Sequence, residues 1–401
     1  MSIALKPEHL EKARALVAEA RANNGLAPMD LEQFWRDDEI AQRDPFSPDA
    51  PQPALGIRNM STECLFAELG VAEDWRRFND DPAWLRELAK PYNDKAEKII
   101  GRRPLNDAPM PPPGGAAFPW PKELHDIFGA RNEFHSESWH LMPCMFSNHD
   151  LARNLDRVNK LLDNGLRDFM LGPDWDANKK DLLARGAKVP LYRHQRGPVT
   201  FAASIFGVEN LLFLILDEPD LAVRFSETIR RAMLERARIL DEEAEWEPYP
   251  DGGGWFSFAD DNCCLLTKEM YDLFAKPVLK ALFEKYAPGP KASRYQHSDS
   301  DMAQHLDTLN ELGLTGCNFG PNLTVAQIRE KIPAARIDGQ IAPFTFSRNE
   351  EVNLVAEVIR DCEMAREKRG LNVCTAGSIN NGSRLTGLRL IMAAIQRFGQ
   401  Y

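Results

Sequence analysis

The sequence predicts an α/β protein, a (β/α)8 TIM barrel with an N-terminal helical extension. Two observations lead to that fold. From about residue 130 onward, short apolar runs alternate with longer amphipathic segments, the pattern of parallel strands covered by helices. A doubly wound dinucleotide-binding sheet would place a Gly-rich turn directly after a strand, whereas "DGGGWF" at 251–256 precedes one.

In chain order, an amphipathic helix over 7–22 is followed by the Pro-rich stretch "PFSPDAPQPALG" at 45–56, which reads as a linker or extended arm. A helical region around 62–100 ends before "APMPPPGGAAFPWP" at 108–121, where consecutive prolines forbid helix. These features set 1–130 as the extension and 131–401 as the barrel. Candidate strands are then "SWHLMPC", "KVPLYRH", "GWFSFAD", "SRYQHSD", "LTGCNFG", "ARIDGQI" and "LNVCTAG". Helical stretches between them include "EPDLAVRFSETIRRAMLERARILDEEAE", "TKEMYDLFAKPVLKALFEKY", "TVAQIREKI" and "NEEVNLVAEVIRDCEMAREKRG". Seven strand units are visible, which leaves one strand to come from the N-terminal region.

With 401 residues, 43% apolar and 27% charged, the composition is that of an ordinary globular protein. A formal charge of −11 with dispersed Lys and Arg argues against a nucleic-acid partner. No apolar stretch reaches the roughly 18 residues of a membrane span. The N-terminus lacks the parts of a secretory signal, so a cytoplasmic location is expected. Seven cysteines without any Cys-x-x-Cys pair exclude a zinc-finger or thioredoxin pattern, and most read as small buried residues. The first 130 residues are open as a lid, a homodimer arm or a partner-docking surface.

The chemistry concentrates in "RYQHSDSDMAQH" at 294–305. A strand ending in His-Ser-Asp sends His297 and Asp299 to one side, because the strand period is two. Barrel chemistry sits at that strand edge. The bland alternatives are a hydrogen-bonded core histidine and an Asp capping the next helix. Asp260 and Asp261 follow the strand "GWFSFAD", and His194 with Arg196 ends an earlier one.

The stretches "GPVTFAASIFG", "DEPDLAVRFSETI", "FADDNCCLLTKEMYDLFAKPVLKAL", "YQHSDS", "ELGLTGCNFGPN", "ARIDGQIAP" and "GLNVCTAGSINNGSRLTGLRLIMAAIQRFG" stand in an order that resembles the uroporphyrinogen decarboxylase superfamily. The resemblance runs from about 188 to the C-terminus and implies a (β/α)8 barrel. It also implies one of two activities, a metal-free decarboxylase or a zinc- and corrinoid-dependent methyltransferase. The decarboxylase's Arg-rich stretch is missing; "GRRPLND" at 101–107 is the nearest basic cluster. The methyltransferase branch implies a metal set at His297, Asp299 and Cys374, with Asp299 standing where the thiol-methylating branch has cysteine. A harder carboxylate ligand suits an ether or phenolate oxygen.

The reading that follows is an O-demethylase methyltransferase. Zinc would be bound by His297, Asp299 and Cys374, and the methyl group of a methoxylated aromatic substrate would pass to the Co(I) corrinoid (cobalamin) of a partner protein. Asp260, Asp261 and His194 are the candidate catalytic residues. The alternatives are a metal-free lyase using Asp260 or Asp261, and a non-catalytic scaffold for a corrinoid protein. A rival zinc set of Glu269, Glu284 and His305 matches a spacing proposed for enzymes demethylating aromatic ethers. Its geometry is poor, because fifteen helical rises put the two glutamates about 22 Å apart.

Overall fold

The computed structural model describes residues 5–56, 64–109, 120–135, 137–191, 194–249 and 252–401. Its contacts divide the chain into two units, one of Met1–Met110, His297–Leu306 and Thr315–Tyr401, the other of Pro111–Gln296 and Asp307–Leu314. Compactness therefore does not divide the chain at residue 130, where composition changes.

In the first unit β1 (Ala54–Leu55) pairs in parallel with a later strand. With β2 (Arg131–His135), β3 (Ser138–Met142), β4 (His194–Arg196), β5 (Trp255–Ala259), β6 (Ser293–Ser298), β7 (Gly316–Phe319), β8 (Arg336–Ile341) and β9 (Leu371–Thr375) the strands are complete among the described residues. The order within this unit is β1-β9-β8-β7, with Ala54 opposite Asn372 and Ile337 opposite Leu371. β7 is buried throughout and β8 at all but its first residue, as expected of parallel strands covered on both faces.

Each of these strands leads into a helix. Val325–Lys331 follows β7 and starts on a capping box of Thr324 and Gln327, which satisfies two end donors reciprocally. Glu351–Ala365 follows β8, and Leu385–Phe398 follows β9 with Leu388, Ile391, Met392 and Ile395 buried. The N-terminal helices belong to the same unit. Pro7–Ala22 buries His9, Ala13, Leu16, Val17 and Ala20 and packs against Glu351–Ala365. Asp38, fully buried on the helix Leu31–Arg43, accepts the Leu55 N–H at 2.7 Å and holds β1 in place. The extension thus supplies a parallel strand of its own, as expected of the N-terminal region.

In the second unit β4 and β5 run parallel, with His194 opposite Ser257 and Arg196 opposite Ala259. β5 leads to the helices Lys268–Phe274 and Lys276–Tyr286. The sequence reads these as one helix; they are two, separated at Ala275, because Pro277 cannot continue the first ladder. "SWHLMPC" is also read differently. β3 forms an antiparallel hairpin with β2 and is mostly exposed, so it is not a barrel strand. β6 starts in this unit and ends, at His297 and Ser298, in the other. Among the described residues no single helix is long and apolar enough to cross a membrane, and the one pair that passes on combined length, Pro198–Phe206 with Val208–Asp217, is bent by 107°.

Candidate active site

The ends of β6, β7 and β9 and the loops after them bring several polar groups of the first unit together. His297, half-buried, places Nε2 at 3.1 Å from Asp299 Oδ1. Asp299 also accepts the Ser378 N–H at 3.0 Å. Gly377 makes that contact sterically feasible. Its φ is +93°, and a Cβ there would lie 2.3 Å from Asp299 Oδ1. The hydrogen bond and charge of His297 hold the Asp299 carboxyl below the usual carboxylate range, since each favours the ionised form. Asp301 Oδ1 takes the Ala303 N–H at 3.0 Å, a local turn at the start of the short helix Ala303–His305.

The opposite ring nitrogen of His297 lies 2.8 Å from Asn318 Oδ1. Asn318 sits in the middle of β7, almost fully buried. Its Nδ2 donates to the Asp338 carbonyl at 2.5 Å and the Thr375 carbonyl at 2.9 Å. Sequence reasoning passed over Asn318. Its signal was available, a lone amide inside the apolar run "GCNFG", because a buried polar side chain has to be hydrogen-bonded.

Cys374 does not join this group. Among the described residues, no set of three ligand atoms within 4.8 Å of one another combines it with His297 and Asp299. Its thiol is buried, and burial together with the Asp338 carboxylate pushes it up to about 12. Asp338 is itself held by Arg336 through two contacts of 2.8 and 2.9 Å and by the Asn372 amide at 2.9 Å. β9 does reach Asp299, as expected for converging strand ends, but through the Ser378 backbone and not through the cysteine.

The carboxylates of the second unit have other tasks. Asp260 is fully buried and accepts from the Thr200 N–H at 2.7 Å and the Val199 N–H at 3.4 Å. It caps the helix Pro198–Phe206 from outside, a structural task that accounts for its burial. Gly197 must lack a side chain there, since its Cβ would fall 2.2 Å from that of Asp260. Burial raises Asp260 to about 6 despite these hydrogen bonds. Asp261 is half-buried in the following turn. His194 opens β4; its side chain lies outside the described residues. In the rival zinc set Glu269 is an exposed first-turn residue behind the Thr267 cap. Glu284 is an exposed partner of Lys280 at 3.8 Å. His305 is fully buried in the other unit.

The family model for uroporphyrinogen decarboxylase (URO-D) matches residues 179–396, just over half of the chain. The chain belongs to the uroporphyrinogen decarboxylase family. Among solved structures it is similar to a methyltransferase from Methanosarcina mazei, at 16% sequence identity and a TM-score of 0.50, over 92% of this chain and 99% of that one. At that identity the likeness is one of fold. No curated protein matches the sequence. Within the URO-D fold, the His297–Asp299 pair suits a metal ion: donors on one tetrahedral zinc stand about 3–3.4 Å apart, and these stand at 3.1 Å. Cys374 does not fit as the third ligand in this arrangement.

Proposed function

We propose that this member of the URO-D family is a methyltransferase. It takes the methyl group of a methoxylated, aromatic substrate and delivers it to the Co(I) corrinoid of a partner protein, leaving a phenol. The observation that carries this reading is the imidazole–carboxylate pair at the end of β6, with Nε2 and Oδ1 at 3.1 Å. Zinc held there would supply Lewis acidity to an ether oxygen. His297 and Asp299 would hold the ion, and the Ser378 N–H would keep Asp299 in place. A similar fold in a structure named as a methyltransferase favours the same class. The nucleophilic chemistry belongs to the corrinoid and its carrier. The metal-free lyase reading is weakened by Asp260, whose carboxylate is committed to a helix N-terminus.

An anaerobic assay tests the proposal: zinc-loaded protein, a panel of methoxylated arenes and cob(I)alamin, followed by the cobalt absorption spectrum. The expected result is conversion to methylcobalamin with at least one arene, abolished in His297→Ala. Release of carbon dioxide from a carboxylated substrate, with no methyl transfer from any arene, would move the function to the lyase.

A further inference from the structure

We infer that Asn318 is a positioning residue, which fixes the tautomer of His297 and thereby makes Nε2 the nitrogen that meets a cation. The inference rests on the proposed metal site but is argued from hydrogen bonds alone. The amide of Asn318 has one orientation that works. Its Nδ2 faces two carbonyls, Asp338 O at 2.5 Å and Thr375 O at 2.9 Å, and its Oδ1 faces the Gly377 N–H at 3.1 Å. Flipping the amide would set an oxygen against two oxygens and an NH2 against an N–H. Oδ1 can only accept, so the His297 nitrogen 2.8 Å from it, Nδ1, must be the N–H.

Nε2 is then left to face Asp299 Oδ1 at 3.1 Å. A neutral ring with hydrogen on Nδ1 offers a lone pair there. A lone pair and a carboxylate at that distance need a cation between them, either a proton or a metal ion. The Asn318 amide therefore links β7 to His297 of β6, to β8 through Asp338, and to the end of β9 through Thr375 and Gly377. It aims one nitrogen at Asp299 without touching a bound ion. Outer partners of this kind orient a ligand ring, and losing one typically costs about 10–100-fold in metal affinity.

Nitrogen NMR on metal-free protein labelled with 15N-histidine, at a pH where the ring is neutral, reads the tautomer directly. A His297→Gln spectrum assigns the signals. The inference expects hydrogen on Nδ1 in the wild type. It expects a mixed or reversed tautomer in Asn318→Leu. Zinc affinity should fall about 10–100-fold in Asn318→Leu. A neutral wild-type ring carrying its hydrogen on Nε2 overturns the inference, whether or not zinc binds, and this holds even if Asn318→Leu does not fold. Zinc failing to bind a wild type whose hydrogen is on Nδ1 counts against the metal reading while upholding the role of Asn318.

Discussion

A carboxylate two residues beyond a histidine has several possible meanings, and at Asp299 the neighbours decide among them. It accepts from Ser378 and faces Nε2 of His297, so it serves the strand-end site. The pair itself was legible in the sequence, because a period of two puts His297 and Asp299 on one side. Cys374 was legible as a strand-end residue but not as a ligand. Spacing along the chain places a residue on a strand; it does not say how far its sulfur lies from a donor on another strand. Asn318 was missed because a single amide in an apolar run carries no spacing pattern. Gly377→Ala should bring a Cβ to 2.3 Å from Asp299 Oδ1 and displace the carboxylate. The expected outcome is about 1–3 kcal/mol of lost stability in urea titration and a metal affinity lowered at least tenfold. An alanine variant with wild-type zinc affinity would contradict the placement of Asp299.

The helix Pro198–Phe206 begins with orphan N–H groups that no residue of its own caps, since Gly197 has no side chain. Asp260 supplies the acceptor from the end of β5. The arrangement gives the acid at the end of "GWFSFAD" a structural task. Burying the carboxylate has a pH signature. Its folded value of about 6 lies above the ordinary 3.8, so the native state holds the proton more tightly than the unfolded chain. The contribution to stability is full below about pH 4 and lost as pH rises through about 6, a total of about 3 kcal/mol by linkage. Asp260→Asn should remove that dependence. Its urea midpoint should be flatter than the wild type's between pH 4 and 7; parallel curves for the two proteins would rule out the buried carboxyl as their source. Gly197→Ala should be among the most damaging small substitutions, costing about 3 kcal/mol or more, because its Cβ would fall 2.2 Å from that of Asp260.

At the scale of the molecule, the barrel's β-then-α order after residue 250 was readable because short segments bounded by Gly or polar residues alternate with longer amphipathic ones. Two things were not. A strand of two residues, Ala54–Leu55, is too short for any periodicity, and it follows a proline-rich stretch that reads as a linker. The hairpin strand Ser138–Met142 has the β-propensity of a barrel strand but not its burial. The consequence is that the N-terminal segment is part of a core, not an appendage. Removing residues 1–56 would strip Ala13, Leu16 and Val17 from Glu351–Ala365 and leave the edge of β9 bare. Each large buried apolar side chain contributes about 1.5–3 kcal/mol. The truncated protein should be insoluble or unfolded by circular dichroism and urea titration; a soluble, cooperatively unfolding product would show that the segment is dispensable.

The central claim is that the end of β6 is a metal site built on His297 and Asp299. Metal content per chain, measured by mass spectrometry on protein purified without chelator, tests it most directly. About one zinc per chain is expected in the wild type, lost in His297→Ala and Asp299→Ala and largely kept in Cys374→Ser. Wild-type protein without zinc that takes none up on addition, or zinc that survives His297→Ala, would contradict the claim.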